Sequence, residues 1–235
     1  MDTFLLNLIL AGSLALAGCS DKKPAEQAQA SAPAKEAVMA KPETPTPAAN
    51  VVVPVDELTP PTAAEVGSPD EVGVIDTDMG RIVLEFFPDV APVHVANFKK
   101  LARAGFYDGT TFHRVVPGFV IQGGDPNSKD DNPRNDGMGG PPWRVKAEFN
   151  DKLHVKGILS MARSQDFNSA GSQFFVCLGR AKNLDNEYTV FGNVISGIET
   201  VDDIGKTARD PQRNPDQPAV KMKSVRIVKR SEAGL

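Results

Sequence analysis

The stretch that decides the fold is FHRVVPGFVIQGGD, residues 112–125. Its apolar residues lie on both sides of a Pro-Gly pair, which is typical of turns, so the stretch predicts a strand, a turn and a second strand. The unit carries a guanidinium at Arg114, an aromatic ring at Phe119 and an amide at Gln122. Because side chains alternate between the faces of a strand, selected members of this set are directed to one face.

A second stretch adds groups of the same kind. It consists of GILSMAR at residues 157–163 and AGSQFFVC at residues 170–177, and it contributes an amide and two rings. Neither Ser160 nor Ser172 lies in a G-x-S-x-G context, and the paired acidic residues of a hydrolase are not evident. A site built from arginine, glutamine and phenylalanine is suited to noncovalent chemistry.

Apolar periodicity around these stretches predicts many short strands and two helices. Alternation about residues 78–80 predicts a hairpin, and helical spacing predicts an amphipathic helix over residues 92–104. A second, short helix carries Ile198, Val201 and Ile204, and a last strand covers residues 219–228. Such a set favours a mostly β fold, a closed antiparallel barrel with helical caps, because closure removes exposed sheet edges.

The N-terminal residues resemble the leader of a bacterial lipoprotein. An apolar run over residues 4–17 is too short for a transmembrane helix and is followed by Gly18, Cys19 and Ser20, as in a lipobox. We therefore predict a signal peptide over residues 1–18 and a lipid on Cys19. The leader lacks the usual positive residues, which a misassigned start codon would explain; the alternative is a buried N-terminal helix.

Residues 19–69 are predicted to be a disordered tether. From residue 20 to residue 69 there are nine Pro and eleven Ala and no Phe, Tyr or Trp. Such a segment buries too little apolar surface to offset the entropy of ordering. The folded domain is therefore predicted to span residues 70–235.

Charge and composition exclude several classes of function. A net charge of −4 argues against a nucleic-acid binder. With two Cys, three His and no H-E-x-x-H motif, we expect neither a metal nor an organic cofactor.

Cys177 lies in an apolar strand and is interpreted as an inert buried thiol, with redox sensing as the alternative. Residues 125–142, rich in Gly, Pro, Asn and Asp, are expected to form a long surface loop that does not bind calcium.

The two motif stretches resemble the cyclophilin family of peptidyl-prolyl cis-trans isomerases, particularly its bacterial branch. The resemblance runs from about Glu71 to Lys229. It implies an eight-stranded antiparallel β-barrel capped by two helices, with the substrate groove on the outer surface. It also implies proline-containing peptides as substrates.

Carried over by position, Arg114 matches the family's catalytic arginine. The resemblance further implies a set of substrate-binding residues, some in the wall of the proline pocket and some flanking the bound peptide: Phe119, Val120, Gln122, Ala162, Arg163, Gln173, Phe175, Leu184 and Tyr188.

Several positions depart from eukaryotic members of the family. Asn183 replaces a tryptophan, Tyr188 a histidine and Val120 a methionine, which puts cyclosporin binding in doubt. Arg163 replaces an asparagine, and Phe167 stands where bacterial members often have proline.

The functional hypothesis is a monomeric, lipid-anchored isomerase that acts on X-Pro bonds of exported or unfolded proteins. It is placed on the periplasmic side of the cell envelope, and Ser20 after Cys19 favours the outer membrane. Two alternatives stay open. The first is a proline-peptide-binding chaperone or assembly adaptor in which isomerisation is incidental. The second is a structural envelope protein whose groove is vestigial.

Overall fold

The structure is a computed structural model that describes Pro54 and residues 57–235. The predicted signal peptide, Cys19 and most of the predicted tether lie outside the described residues. The strands and helices are β1 (Glu71–Thr77), β2 (Gly80–Phe86), α1 (Pro92–Arg103), β3 (Thr111–Phe112), β4 (Arg114–Val116), β5 (Val120–Gly123), β6 (Ile158–Met161), β7 (Phe174–Cys177), β8 (Val190–Ser196), α2 (Ile198–Gly205) and β9 (Val220–Lys229).

One antiparallel sheet contains all of these strands, in the order β3-β9-β1-β2-β8-β6-β7-β5-β4. The two strands at the ends of this order, β3 and β4, are neighbours in the chain and are separated only by His113. The sheet therefore curls into a nearly closed barrel, which confirms the predicted fold class. Nine strands replace the expected eight because one strand of the barrel is interrupted at His113.

The interruption lets one run of chain pair with both ends of the sheet. Thr111 of β3 is opposite Lys221 of β9, whereas Arg114 of β4 is opposite Gln122 of β5. Beyond the break, the Val115 amide of β4 donates a hydrogen bond to the Arg209 carbonyl, at 2.6 Å, outside the strand pairs of the sheet. Arg114 therefore lies at the seam where the barrel closes.

The strands β4, β5, β7 and β6 separate two apolar clusters, one on each face. A row of paired residues faces the barrel interior and joins the main core: Val115, Ile121, Val176 and Leu159. The residues between them point outward, and Val120, Phe175 and Cys177 belong to a second, smaller cluster. Strict alternation along each strand produces this division.

Both helices were predicted, and α1 supplies the largest part of the helical packing. It begins at Pro92 and ends just before Gly105, whose φ of 70° only glycine adopts without strain. The ring of Phe98 is fully buried in the main core. Gly197 precedes α2, where a Cβ would lie 2.0 Å from the Arg81 carbonyl oxygen, so that position requires glycine.

Residues 57–69 pack against α1, so the ordered chain begins before the predicted boundary at residue 70. Leu58 and Val66 contact the main core. The buried Lys99 ammonium donates to the Val66 and Ser68 carbonyls at 2.9 and 3.1 Å and to Glu71 at 3.0 Å. The Ala- and Pro-rich composition of the segment does not indicate these contacts, because they involve only two apolar residues and one buried lysine.

None of the helices in the described part of the chain combines the length and the hydrophobicity that a membrane span requires.

We expect His113 to make folding stability depend on pH between about 6.5 and 4. Burial lowers the pKa of His113 from 6.5 to about 4, although the Asp125 charge acts in the opposite direction. As the pH falls through this window, the unfolded chain takes up a proton that the folded chain does not, so stability decreases by at most about 3 kcal/mol. Urea unfolding of the wild type and of His113→Gln, measured at several pH values, tests this. The variant should show a shallower pH dependence, and equal slopes would contradict the assignment.

Candidate active site

The outward face of four adjacent strands carries one row of functional side chains. Arg114 on β4 is opposite Gln122 on β5, which is opposite Phe175 on β7, which in turn is opposite Ser160 on β6. Residues that are paired across antiparallel strands have their side chains on the same face. The ladder register therefore brings the guanidinium, the amide and the ring together.

A cavity of about 100 Å³ opens beside this row. All of its lining residues belong to the predicted site: Arg114, Phe119, Val120, Gln122, Ala162, Arg163, Phe175, Leu184 and Tyr188. Gln173, the remaining predicted residue, lies just outside and accepts a hydrogen bond from the Gln122 amide at 3.1 Å. The structure thus assembles the predicted residues at one place, and their roles in catalysis and binding stay predictions.

The Arg114 guanidinium has unused hydrogen-bonding capacity in this cavity. Its side chain is partly exposed, and it makes no hydrogen bond or ion pair to any other described residue. A guanidinium has five N–H donors in a fixed plane. Arg114 can therefore donate to a bound molecule without first breaking a contact inside the protein.

The apolar wall is formed by side chains from three separate segments. Phe119 follows a tight turn in which its amide donates to the Val116 carbonyl at 2.9 Å, and Gly118 in that turn has φ of 73°. Leu184 ends a short 3-10 helix and is 8% exposed. Phe175 projects from β7 and is 5% exposed. These three side chains offer a ring-sized apolar surface next to the guanidinium.

A buried hydrogen-bond chain lies behind Phe175. The His154 ring stacks on Phe175 at a centroid distance of 5.9 Å. Its Nδ1 lies 3.2 Å from the Asp185 carboxylate, and its Nε2 lies 3.0 Å from the Ser160 hydroxyl. Hydrogen bonding from Arg180 holds the pKa of Asp185 well below its usual range, and burial lowers the pKa of His154.

The Ser160, His154 and Asp185 side chains have the order of a hydrolytic triad, yet they have no access to substrate. Ser160 and His154 are both completely buried, and the Ser160 hydroxyl donates to the Thr189 carbonyl at 2.9 Å. A nucleophile must reach its substrate within hydrogen-bond distance. The hydrogen bonds among these three side chains instead hold His154 behind Phe175 and fix the position of the segment that carries Leu184.

Arg163 is held between two aromatic rings at the edge of the cavity. Its guanidinium carbon lies 4.4 Å from the Phe167 ring centroid and 4.6 Å from the Tyr188 ring centroid. It also donates to the Glu187 backbone carbonyl at 3.0 Å and to the Glu187 carboxylate at 3.3 Å. Stacking of this kind uses the planar, delocalised cation that distinguishes arginine from lysine. The aromatic residue at Phe167 therefore supports Arg163.

A larger cavity, of about 310 Å³, adjoins the first and shares Gln122, Ala162 and Arg163 with it. Of its other lining residues, Gln173 belongs to the predicted site, whereas Trp143, Arg144 and the segment over residues 137–141 were not predicted. The sequence feature that could have indicated them is the long loop ending near Pro142, which was predicted only to be a surface loop. The cavity forms because this loop folds back toward the start of β7, and the side-chain amide of Gln173, the residue before that strand, donates to the Gly139 carbonyl at 2.9 Å.

Asp125 fixes the loop in this position. Its carboxylate is fully buried and accepts hydrogen bonds from the backbone amides of Asn127 (2.8 Å), Gly137 and Gly139 (3.3 Å). A Cβ at residue 139 would lie 2.2 Å from the Asp125 carboxylate, so glycine is required there. The loop over residues 125–142 lies at the surface, as expected, with half of its residues exposed, but Asp125 and its partners tie it to the barrel.

Cys177 lies beneath the groove on β7 and is completely buried. Burial raises the pKa of its thiol to about 12, so the reactive thiolate is scarce at neutral pH. This environment agrees with the interpretation of an inert thiol and gives no support to redox sensing.

We expect Cys177 to resist alkylation by iodoacetamide at pH 8 in the folded protein and to react once the chain is unfolded in urea. Peptide mapping by mass spectrometry separates this thiol from Cys19. Modification of Cys177 before any unfolding would show that the thiol is accessible and would contradict the prediction.

Within the described part of the chain, no group of three or more His, Cys, Asp or Glu side chains is arranged to hold a metal ion.

Comparison with known proteins assigns the family. The family described as cyclophilin type peptidyl-prolyl cis-trans isomerase/CLD matches residues 73–227. A peptidyl-prolyl cis-trans isomerase of Synechococcus elongatus is 43% identical over 155 residues, covering 66% of this chain and 94% of the relative. Peptidyl-prolyl cis-trans isomerase B of Bacillus subtilis is 47% identical over 124 residues, covering 52% of this chain and 81% of the relative.

A solved structure agrees with these relatives. The cyclophilin type isomerase of Cryptosporidium parvum, crystallised in the presence of the dipeptide Ala-Pro, superposes with a TM-score of 0.59 and 31% sequence identity, covering 67% of this chain and 99% of the other. The resemblance that the two motif stretches indicate is therefore confirmed. The chain belongs to the cyclophilin type peptidyl-prolyl cis-trans isomerases, a family of isomerase enzymes.

Proposed function

We propose that this protein isomerises X-Pro peptide bonds of exported or unfolded polypeptides while anchored to the cell envelope by a lipid on Cys19. The observation that carries the first part is the position of Arg114, an arginine without an ion pair among the described residues, at the edge of an apolar cavity. The Cryptosporidium relative, crystallised in the presence of Ala-Pro, supports a proline-containing peptide as the occupant.

The reaction requires rotation about a bond with partial double-bond character and a barrier of about 18–20 kcal/mol. Twisting the bond removes the amide resonance, and the proline nitrogen regains a lone pair that can accept a hydrogen bond. Arg114 donates at that moment. The planar ground state has no such acceptor, so the interaction favours the transition state over the bound substrate, as catalysis requires.

The apolar wall supplies the rest of the effect. Phe119, Phe175 and Leu184 hold the proline ring still while the preceding part of the peptide rotates, and they exclude water from an amide that becomes less dipolar as it twists. Acceleration from tens to hundreds of seconds to milliseconds corresponds to about 5.5–7 kcal/mol. One charge-assisted hydrogen bond contributes about 1.5–3 kcal/mol, so pocket binding and desolvation must account for about half or more.

Exchange NMR on a peptide with an Ala-Pro bond tests the catalytic proposal. Addition of a small amount of the full chain should accelerate cis–trans exchange well above the spontaneous rate. The alternative of a binding adaptor predicts something different, namely peptide binding with an unchanged exchange rate. That result would overturn the enzymatic proposal and favour the adaptor.

The proposed anchor rests on the lipobox-like residues around Cys19, supported by a composition in residues 19–69 that suits a spacer. Firm membrane attachment needs more than one acyl chain, and bacterial lipoproteins carry several. Membrane fractionation of cells producing the full chain, with Cys19→Ser as the matched control, tests this. The wild type should be found in the membrane fraction and should yield an N-terminal peptide with the mass of a lipidated cysteine. An unmodified Cys19 would overturn the anchor.

A further inference from the structure

The larger cavity beside the proline site has an electrostatic character of its own. The charged side chains that line it are Arg144 and Arg163, and no Asp or Glu is among its described lining residues. The smaller cavity also lacks acidic lining residues and adds Arg114. In a protein with a net charge of −4, the groove therefore concentrates positive charge.

Arg144 is the group available to a ligand in this cavity. Its side chain is exposed, and no described residue forms a hydrogen bond or ion pair with it. The Ser164 and Ser169 hydroxyls, which also line the cavity, are already committed: Ser164 donates to Ser169 at 2.8 Å, and Ser169 donates to the Asp166 carbonyl at 2.5 Å. Recognition of a charged group therefore falls to Arg144.

Arg163 contributes a fixed charge at the boundary between the two cavities. Its side chain is only 12% exposed, and the stacking of Phe167 and Tyr188 on it holds the guanidinium in one place. Its acidic partner, Glu187, is 53% exposed and lies outside the lining of both cavities. Arg163 is thus already paired, which leaves Arg144 as the charged side chain of the larger cavity that has no acidic partner among the described residues.

We infer that the larger cavity binds an acidic side chain of the client peptide, one located close to the proline, with Arg144 as its direct partner. The inference rests on the proposed function, because the two cavities share lining residues and one extended peptide in the groove would contact both. A carboxylate matches the donors of a guanidinium, whereas a lysine side chain would be repelled by two cations. The substrates favoured are therefore X-Pro segments with a nearby Asp or Glu.

Pairs of peptides that differ only by Glu or Gln, at each of the positions flanking an Ala-Pro bond, test the inference. We expect kcat/KM of the full chain to be about two- to fivefold higher for the Glu peptide at one of these positions, a range typical of partly exposed charge pairs. The preference should disappear in Arg144→Gln and be partly retained in Arg144→Lys. It should also shrink as salt concentration rises.

Arg134→Gln is the matched control, because Arg134 is an exposed arginine on the same loop that lines neither cavity. This variant removes the same charge and should keep the preference. Equal kcat/KM for Glu and Gln peptides at every position, or a preference that survives in Arg144→Gln, would overturn the inference while leaving isomerase activity in place. If no peptide is isomerised, the proposed function is wrong. In that case, calorimetric binding of the same peptide pairs tests the inference on the larger cavity. Equal dissociation constants for the Glu and Gln peptides would overturn that inference.

Discussion

Replacing Arg114 with alanine is expected to lower kcat/KM for an Ala-Pro peptide by about 10- to 150-fold, the equivalent of one charge-assisted hydrogen bond made in the transition state. The loss should appear mainly in kcat, because the hydrogen-bond acceptor on the proline nitrogen exists only while the bond is twisted. Arg114→Lys keeps the charge but not the planar arrangement of donors, so its kcat/KM should lie between those of the wild type and Arg114→Ala. Exchange NMR at several peptide concentrations measures both kinetic constants.

The control for this prediction is Arg134→Ala, which removes an exposed arginine away from both cavities. It should isomerise the peptide at the wild-type rate. Because the Arg114 side chain makes no hydrogen bond or ion pair within the described part of the chain, its truncation should leave the thermal unfolding temperature nearly unchanged. Wild-type kcat in Arg114→Ala, with folding intact, would exclude the proposed mechanism.

Replacing Phe98 with alanine is expected to lower the free energy of unfolding by about 3–5 kcal/mol. Phe98 is fully buried and lies at the centre of an aromatic cluster, with ring centroids at 5.0 Å from Tyr107, 5.4 Å from Phe174, 5.6 Å from Phe86 and 5.7 Å from Phe191. Alanine leaves a cavity that these surrounding rings cannot fill without moving α1. Urea unfolding measures this loss of free energy. Thermal unfolding should show a decrease in Tm of about 10 °C.

Phe149→Ala is the matched control, since Phe149 is 41% exposed and contacts Phe167 at the surface. Its effect should stay within about 0.5 kcal/mol. If Phe98→Ala does not fold, Phe98→Leu gives the same test on a smaller scale, because it keeps most of the volume and loses the ring contacts. A loss below about 1 kcal/mol for Phe98→Ala would show that α1 is not anchored through this ring.

Much of the fold could be predicted from local pattern. The hairpin of β1 and β2, both helices and the strand pair around Pro117 and Gly118 depend on short-range periodicity and turn residues, and the structure confirms them. The break at His113 could not be predicted, since it depends on where the two ends of the sheet meet in space. The docking of residues 57–69 was also missed, because it depends on Lys99, a residue that composition alone assigns to the surface.

The candidate site shows the same division. The residues of the two motif stretches are brought together by the ladder register, so Arg114, Gln122 and Phe175 could be placed from sequence and resemblance. Trp143 and Arg144 could not, because they reach the groove only through a loop whose path depends on the buried Asp125 carboxylate. The hydrophobic pattern of the sequence does not indicate that the single carboxylate of Asp125 accepts hydrogen bonds from three backbone amides.

The separation of two apolar clusters by β4, β5, β7 and β6 has an evolutionary consequence. Substitutions of outward-facing side chains on these strands change the smaller apolar cluster beside the groove, while substitutions of inward-facing side chains change the main core of the barrel. Natural variation can therefore alter the groove while the main core stays intact. The same property makes the groove a tractable target for directed selection of new peptide preferences.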